Sequence, residues 1–242
     1  MLIGGNSHGL ADAQDQPPQS CQVSYPQDCT NSAHKNGCII DAVNNQTSLF
    51  LDQSQDPTTR FEALKYIIHF IGDLHQPLHI ENAYRGGNEI TPVCFAHACS
   101  HNNLHSVWDK YIPDKITGTK NDAHHDQLIE AAQKWAEKLY NANAAQDADP
   151  LACANIQSPS DCTLPWASEA NTYVCSTAMK ESIDWYQNND LSLDYYDSAA
   201  PVVEYLIGRA GERLGAYLNA LVQAAQGGQS AGEGEKVELR KQ

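Results

Sequence analysis

Two pairs of histidine and aspartate share a four-residue spacing in this chain. His69 precedes Asp73, and His105 precedes Asp109. On an α-helix, residues four apart lie on one face about a turn from each other, so each pair can present two ligand atoms to one cation. Imidazole nitrogen and carboxylate oxygen are both zinc ligands. The spacing therefore predicts metal-dependent chemistry.

A third histidine follows the first pair. His79 comes after Pro77, which ends the helix and turns the chain, so the imidazole can reach an ion near Asp73. The two oxygens of a carboxylate allow Asp73 to bridge two metal ions. His79, His105 and Asp109 form a common zinc ligand set that leaves one coordination position open for water.

Each pair taken alone has a simpler interpretation as a hydrogen-bonded pair on a helix surface. Two such pairs in one stretch, with a third histidine behind a proline, favour a metal site. Five other histidines are assigned to solvent: His75, His97, His101, His124 and His125. Phe70 and Trp108 lie between the predicted ligands, and we assign them to the core rather than to base stacking.

Helical periods predict the elements that carry these residues. Apolar side chains recur with helical spacing over 63–74, 127–143 and 166–179. A short helix around 105–111 and a long amphipathic helix over 195–225 complete the set. The segments 14–35 and 144–165 are typical of loops, and 81–103 is typical of a turn or short hairpin. The predicted class is mainly α, as one helical domain with long loops.

The charge of the chain limits how it could bind nucleic acid. It has 30 acidic and 15 basic side chains, giving a formal net charge of -15. Such a surface as a whole repels phosphate, so a nucleic-acid substrate must be held locally. Metal ions can replace the basic patch that an acidic protein lacks.

The eight cysteines favour an oxidising compartment. Several lie in polar, turn-rich surroundings, where a reduced buried thiol would be unusual. The triplet Asn45-Gln46-Thr47 is a sequon that predicts glycosylation at Asn45. No apolar run is long enough to span a bilayer, and the first residues show no secretory leader.

Several motifs together resemble the class I single-strand-specific zinc nucleases of fungi and plants. They are His-Phe-Ile-Gly-Asp with Gln-Pro-Leu-His over 69–79, Gly-Gly-Asn over 86–88, and Asn-Leu-His-Ser-Val-Trp-Asp over 103–109. The segments beginning at Asp12, Trp166 and Tyr195 fit the family in order. The resemblance implies a disulfide-bonded helical domain, related in fold to zinc phospholipase C enzymes, that works as a secreted monomer.

The resemblance also implies an activity. Three zinc ions would hydrolyse phosphodiester bonds of RNA and single-stranded DNA to 5′-phosphorylated products, and would remove 3′-phosphates from nucleotides. His69 would bind one zinc of a close pair, and the catalytic Asp73 would bridge that pair. His79, His105 and Asp109 would hold the third zinc ion.

Further residues receive roles by the same resemblance. Asp12 would bind the substrate base beside a nucleoside pocket, which requires an unpaired base. The family pairing of cysteines implies Cys21–Cys175 and Cys29–Cys38, which leaves Cys94–Cys99 and Cys153–Cys162.

The beginning of the chain departs from the family pattern. The family starts with a tryptophan whose amino group and carbonyl bind zinc, followed by a histidine, an aspartate and a second histidine. Gly9 stands where the second histidine is expected, and His8 is one position away. We therefore expect an atypical segment over 1–11, the nuclease domain over 12–226 and a disordered tail over 227–242.

These departures lead to a specific expectation. The chain as given should hold at most one zinc ion well and should hydrolyse phosphodiesters poorly or not at all. The alternatives are an impaired zinc- or nucleotide-binding remnant of the same fold and a phospholipase on the same scaffold.

Overall fold

The computed structural model describes residues 15–30, 37–100, 102–120, 122–144 and 148–237. Helices dominate these residues, and the only bridges among them are isolated ones. The α-helices of this part of the chain are α1 (Gln27–Thr30), α2 (Ile39–Leu51), α3 (Pro57–Asp73), α4 (Leu104–Ser106), α5 (Ile112–Thr117), α6 (His125–Ala144), α7 (Ser160–Tyr173), α8 (Ile183–Asn188) and α9 (Asp194–Val237). The predicted mainly α class is confirmed.

Helix α3 carries the first His–Asp pair at its C-terminal end. Its N-terminus is capped by Asp56, whose side chain accepts hydrogen bonds from the backbone N–H groups of Thr58 and Thr59 at 2.9 and 3.1 Å. Pro57 occupies the first helical position, where its missing N–H costs no hydrogen bond. The helix therefore starts six residues before the predicted position at residue 63 and ends at Asp73.

The second His–Asp pair lies in a composite helix. Asn103 caps α4 by accepting a hydrogen bond from the backbone N–H of Ser106 at 2.7 Å. A π-helical turn, Val107–Tyr111, then joins α4 to α5. The predicted short helix is present and continues to Thr117.

Two apolar clusters form the core of the described residues. The two His–Asp pairs lie where these clusters meet. The first cluster joins α2, α3, α7 and α9 through residues such as Ile40, Ile71 and Trp166. The second cluster includes Leu78 and Trp108. Phe70 is buried in the first cluster and Trp108 in the second, as predicted.

Four disulfides stabilise the loops of the described chain. They join Cys21–Cys175, Cys29–Cys38, Cys94–Cys99 and Cys153–Cys162, the same pairs that the family resemblance implies. Cys21–Cys175 spans 154 residues and fixes the segment before α1 to the π-helical turn after α7. Cys94–Cys99 closes a short loop within the predicted turn region.

The assignment of His75 to solvent is wrong. Its side chain is buried, with 3% of the residue exposed, and Nδ1 lies 2.7 Å from the carbonyl oxygen of Ile71. Nε2 lies 3.1 Å from a guanidinium nitrogen of Arg213. Arg213 in turn forms ion pairs with Asp149 at 2.6 Å and Glu169 at 2.7 Å. The partner that buries His75 is 138 residues away, so no local pattern reveals it.

The last helix is longer than expected. Its predicted span ends at residue 225, whereas α9 runs from Asp194 to Val237. No proline follows Pro201 to interrupt the backbone hydrogen bonds. The helix thus includes residues that we expected to be disordered, and 238–242 lie outside the described residues. Among the residues described, no helix combines the length and apolar character needed to cross a membrane.

Candidate metal centre

Four elements bring the five predicted ligands together. His69 and Asp73 lie on the last turn of α3, and His79 ends a 3-10 turn, Pro77–His79. His105 lies in α4, and Asp109 lies in the following π-helical turn. Pro77 stops the α-helix and redirects the chain, which explains why His79 faces the second pair.

Three of the five residues form a compact group. Nε2 of His79 lies 3.2 Å from Oδ1 of Asp109, and Nε2 of His105 lies 3.1 Å from Oδ2. One ligand atom from each residue lies within 4.8 Å of the others. Two imidazoles and one carboxylate at this separation could bind a single cation between them.

The other two ligands adjoin this group through Asp73. Nε2 of His69 lies 3.2 Å from Oδ2 of Asp73, and Nδ1 of His79 lies 3.7 Å from the same oxygen. The His69 side chain is 64% exposed, whereas that of Asp73 is 22% exposed. The five residues therefore form one continuous cluster with an open end at His69.

A backbone carbonyl orients His105. Its Nδ1 lies 2.7 Å from the carbonyl oxygen of Gly86. Because a carbonyl can only accept, Nδ1 must carry the proton, and Nε2 is left as the nitrogen that can bind a metal. Histidine ligands of metals commonly have an outer partner of this kind. Gly86 belongs to the Gly-Gly-Asn motif, but its role was not predicted.

Hydrogen bonding keeps the Asp109 carboxylate ionised. Burial favours its neutral form, but hydrogen bonds and charges from His105 and His79 outweigh burial and hold its pKa well below the usual range. Burial also disfavours the charged form of His105, yet the hydrogen bond and charge of Asp109 raise its pKa. An ionised carboxylate is the form that coordinates a cation.

A cavity of about 380 Å³ opens onto the cluster. Asp73, His79 and Asp109 lie at one side of it. Apolar residues of α9 also line the cavity: Val203, Leu206, Ile207, Ala210 and Leu214. The described residues that line the cavity include imidazole and carboxylate groups but no lysine or arginine.

The predicted base-binding residue Asp12 lies outside the described residues, as does His8. The described part of the same loop begins at Asp15, which lies beside Glu81. Burial, together with the nearby Asp15, raises the pKa of Glu81 to about 8. Cys21 adjoins these carboxyl groups, but its sulfur is engaged in a disulfide.

The sequon residues have different environments. Asn45 is exposed on α2, while Thr47 is buried and its hydroxyl lies 2.8 Å from the Tyr217 hydroxyl. Thr47 therefore joins α2 to α9 in the folded protein. Glycosylation of Asn45 stays a prediction.

The chain is similar to known nucleases over most of its length. A family model described as S1/P1 Nuclease matches residues 10–223. The chain is 37% identical to Nuclease S1 of Aspergillus oryzae over 216 residues, covering 86% of this chain and 69% of that protein. It is 37% identical to Nuclease P1 of Penicillium citrinum over 213 residues, covering 86% and 74%. Endonuclease 4 of Arabidopsis thaliana is 32% identical over 216 residues, covering 85% and 67%.

Proposed function

The chain belongs to the S1/P1 nuclease family, and from this premise we propose that it is a zinc-dependent endonuclease acting on single-stranded DNA and RNA. The proposed products carry 5′-phosphates, and the proposed second activity removes 3′-phosphates from nucleotides. The observation that carries the proposal is the His79, His105 and Asp109 cluster at the side of the cavity.

The donor set fits zinc. Imidazole nitrogen and carboxylate oxygen bind zinc at roughly 2.0–2.2 Å, and catalytic zinc sites commonly use three protein ligands and one open position. His79, His105 and Asp109 provide three such ligands. The outer hydrogen bond from His105 to Gly86 supports the same interpretation. His69 and Asp73 are the proposed ligands of the close zinc pair that the family resemblance implies.

In this proposal, the residues that line the cavity have separate roles. A bound zinc ion would stabilise charge on the phosphate and lower the pKa of its water. Asp73 is the proposed catalytic residue, which orients the attacking water by accepting a hydrogen bond from it. The apolar α9 residues would limit the water around a bound substrate. The ligand cluster also explains how a chain of net charge -15 could hold a phosphate.

A single-stranded substrate suits the size of this cavity. About 380 Å³ accommodates a nucleotide-sized group and not a stacked duplex. A base reaches such a cavity only after it leaves its stack, which costs least in a single strand. Asp12 is the proposed contact to that base.

The proposal is tested by hydrolysis of one labelled oligonucleotide, presented single-stranded and as a duplex, before and after zinc chelation. We expect cleavage of the single strand only, loss of cleavage with chelator and recovery with zinc. His105→Ala should reduce the rate more than about 100-fold, because it removes a direct ligand. The exposed His124 gives the matched control, since His124→Ala leaves the cluster intact. Cleavage that survives chelation would contradict the proposal.

A second candidate function is a zinc- or nucleotide-binding protein of this fold with impaired catalysis. The exposure of His69 favours it, since that side chain is 64% exposed and its described ion-pair partner is Asp73. A close zinc pair held by these two residues alone would lack ligands. Bound zinc without turnover on the same sample would support this candidate over the nuclease.

Compartment and assembly follow from the same proposal. Four disulfides persist in oxidising surroundings, so we propose a secreted protein. We further propose that it works as a monomer whose nuclease domain spans 12–226.

A further inference from the structure

Gln76 connects the first ligand segment to the second. It immediately precedes the 3-10 turn that carries His79. Its Nε2 donates a hydrogen bond to Oδ1 of Asp109 at 2.9 Å. Its Oε1 accepts a hydrogen bond from the backbone N–H of Leu78 at 2.6 Å. One side chain thus joins residues more than thirty positions apart in the sequence.

The chemistry at both ends fixes the orientation of the Gln76 amide. The backbone N–H of Leu78 can only donate, so the amide oxygen must face it. The ionised carboxylate of Asp109 can only accept, so the amide nitrogen must face Asp109. A flipped amide would lose both hydrogen bonds. The amide is therefore a directional link and not an interchangeable polar contact.

The backbone beneath Gln76 is also held in place. Its N–H donates to the carbonyl oxygen of Asp73 at 3.0 Å. The preceding residue, His75, is anchored to Ile71 and to the buried Arg213. The following residue, Pro77, is buried and has a fixed φ. Gln76 can therefore act as a fixed donor to Asp109.

Asp109 is the partner that needs such support. Its side chain is 40% exposed, and it lies in a π-helical turn. The two histidines approach opposite oxygens, His79 approaching Oδ1 and His105 approaching Oδ2. A hydrogen bond from Gln76 occupies one lone pair of Oδ1 and stops the carboxylate from rotating.

We propose that Gln76 is a positioning residue that holds the Asp109 carboxylate in the orientation needed to bind the metal. This inference rests on the proposed metal site formed by His79, His105 and Asp109. Outer hydrogen bonds to ligating carboxylates order the ligand before the metal arrives, so less conformational freedom is lost on binding. Oδ2, which Gln76 does not contact, is the oxygen left for the ion.

Two variants separate this role from helix capping. Gln76→Ser keeps a cap, because the serine hydroxyl can accept from the N–H of Leu78, but it is too short to reach Asp109. Gln76→Met has similar length and keeps neither hydrogen bond. Gln55 is the matched control, because its Nε2 also donates to a carboxylate, that of Asp52, at 2.8 Å. It lies in the loop before α3, at the opposite end of that helix from His69.

The experiment is a Co²⁺ titration of the metal-free full chain, followed by the visible spectrum of the bound ion and by zinc competition. We expect Gln76→Ser and Gln76→Met both to weaken metal binding about 10- to 100-fold and to alter the Co²⁺ spectrum. Gln55→Ser should leave both unchanged. Gln76→Met should lower the urea midpoint of the metal-free protein more than Gln76→Ser does, since it loses the cap as well as the hydrogen bond to Asp109.

The outcomes distinguish this inference from the proposed function. If Gln76→Ser binds Co²⁺ as tightly as the unaltered protein and gives the same spectrum, Gln76 is only a cap and the inference is overturned. If the unaltered chain binds no Co²⁺ at this cluster, the metal site itself fails, and the inference fails with it.

Discussion

The backbone carbonyl of Gly86 sets the orientation of the His105 ring. Gly86 has φ +60°, and its carbonyl oxygen accepts the Nδ1–H of His105. A Cβ atom at this position would lie 2.3 Å from the carbonyl oxygen of Leu78. The chain passes so close to itself here that no side chain fits. Glycine is therefore required both for the backbone conformation and for the approach.

We predict that Gly86→Ala lowers the free energy of unfolding by at least about 3 kcal/mol, because strain in the left-handed region adds to a clash with rigid backbone. Gly118 is the control, since it has φ +70° and a Cβ atom added there would meet no atom within 4 Å. Gly118→Ala should cost only about 1 kcal/mol. Urea unfolding of the metal-free proteins measures both, and equal losses would refute the clash.

The spacing of the proposed ligand residues points to them in the sequence, whereas nothing in the sequence points to their supporting residues. His69, Asp73, His105 and Asp109 share repeated four-residue separations. Gln76 shows no such signal beyond its place in a motif. Its function depends on the distance to Asp109, which the fold determines.

At the scale of elements, a buried network joins α3, α7 and α9. Arg213 of α9 has a fully buried side chain that contacts Glu169 of α7, Asp149 and His75. His75 in turn contacts the carbonyl of Ile71 near the end of α3. This network supports the turn that leads from α3 to His79.

The same network makes a prediction about pH. Burial, and the positive charge of Arg213, lower the pKa of His75 from 6.5 to about 4. Between pH 4 and pH 6.5, the unfolded chain therefore binds a proton at His75 that the folded chain does not bind. Stability should fall as the pH drops from 6.5 to 4, by up to about 3 kcal/mol from this residue.

His75→Gln tests that prediction, because glutamine can donate to Ile71 and accept from Arg213 but does not titrate. Unfolding free energies of the metal-free variant should fall less between pH 6.5 and 4 than those of the unaltered protein. His124→Gln, at an exposed residue, is the control and should keep the original pH dependence. Identical pH dependence in all three proteins would show that His75 does not carry the effect.

Helix positions were predictable where apolar periods were strong, and their ends were not. The period over 63–74 located α3 but missed its first six residues, which Asp56 and Pro57 define through capping. The length of α9 was underestimated because its glycine-rich continuation lacks an apolar period. Capping and the absence of a stop signal decided these boundaries.

At the scale of the whole molecule, the proposed site lies where two cores meet. Ile71 and Leu74 belong to one core, and Leu78 and Val107 belong to the other. The proposed ligands are thus anchored by both cores. The sequence predicted one helical domain. The apolar period of a single helix, however, does not show that the core of this domain consists of two clusters.

The disulfide pattern illustrates the same limit. Eight cysteines allow 105 complete pairings, and spacing alone does not select among them. The family resemblance supplied the pairs that the structure contains, including Cys21–Cys175 across 154 residues. That disulfide fixes the described segment before α1 to the π-helical turn after α7.

Anomalous diffraction at the zinc edge, from crystals of the full chain grown with zinc, would locate the bound metal directly. We predict a zinc peak that lies roughly 2.0–2.2 Å from a nitrogen of His79, a nitrogen of His105 and an oxygen of Asp109. A zinc-loaded crystal with no peak at His79, His105 and Asp109 would contradict the proposed metal site.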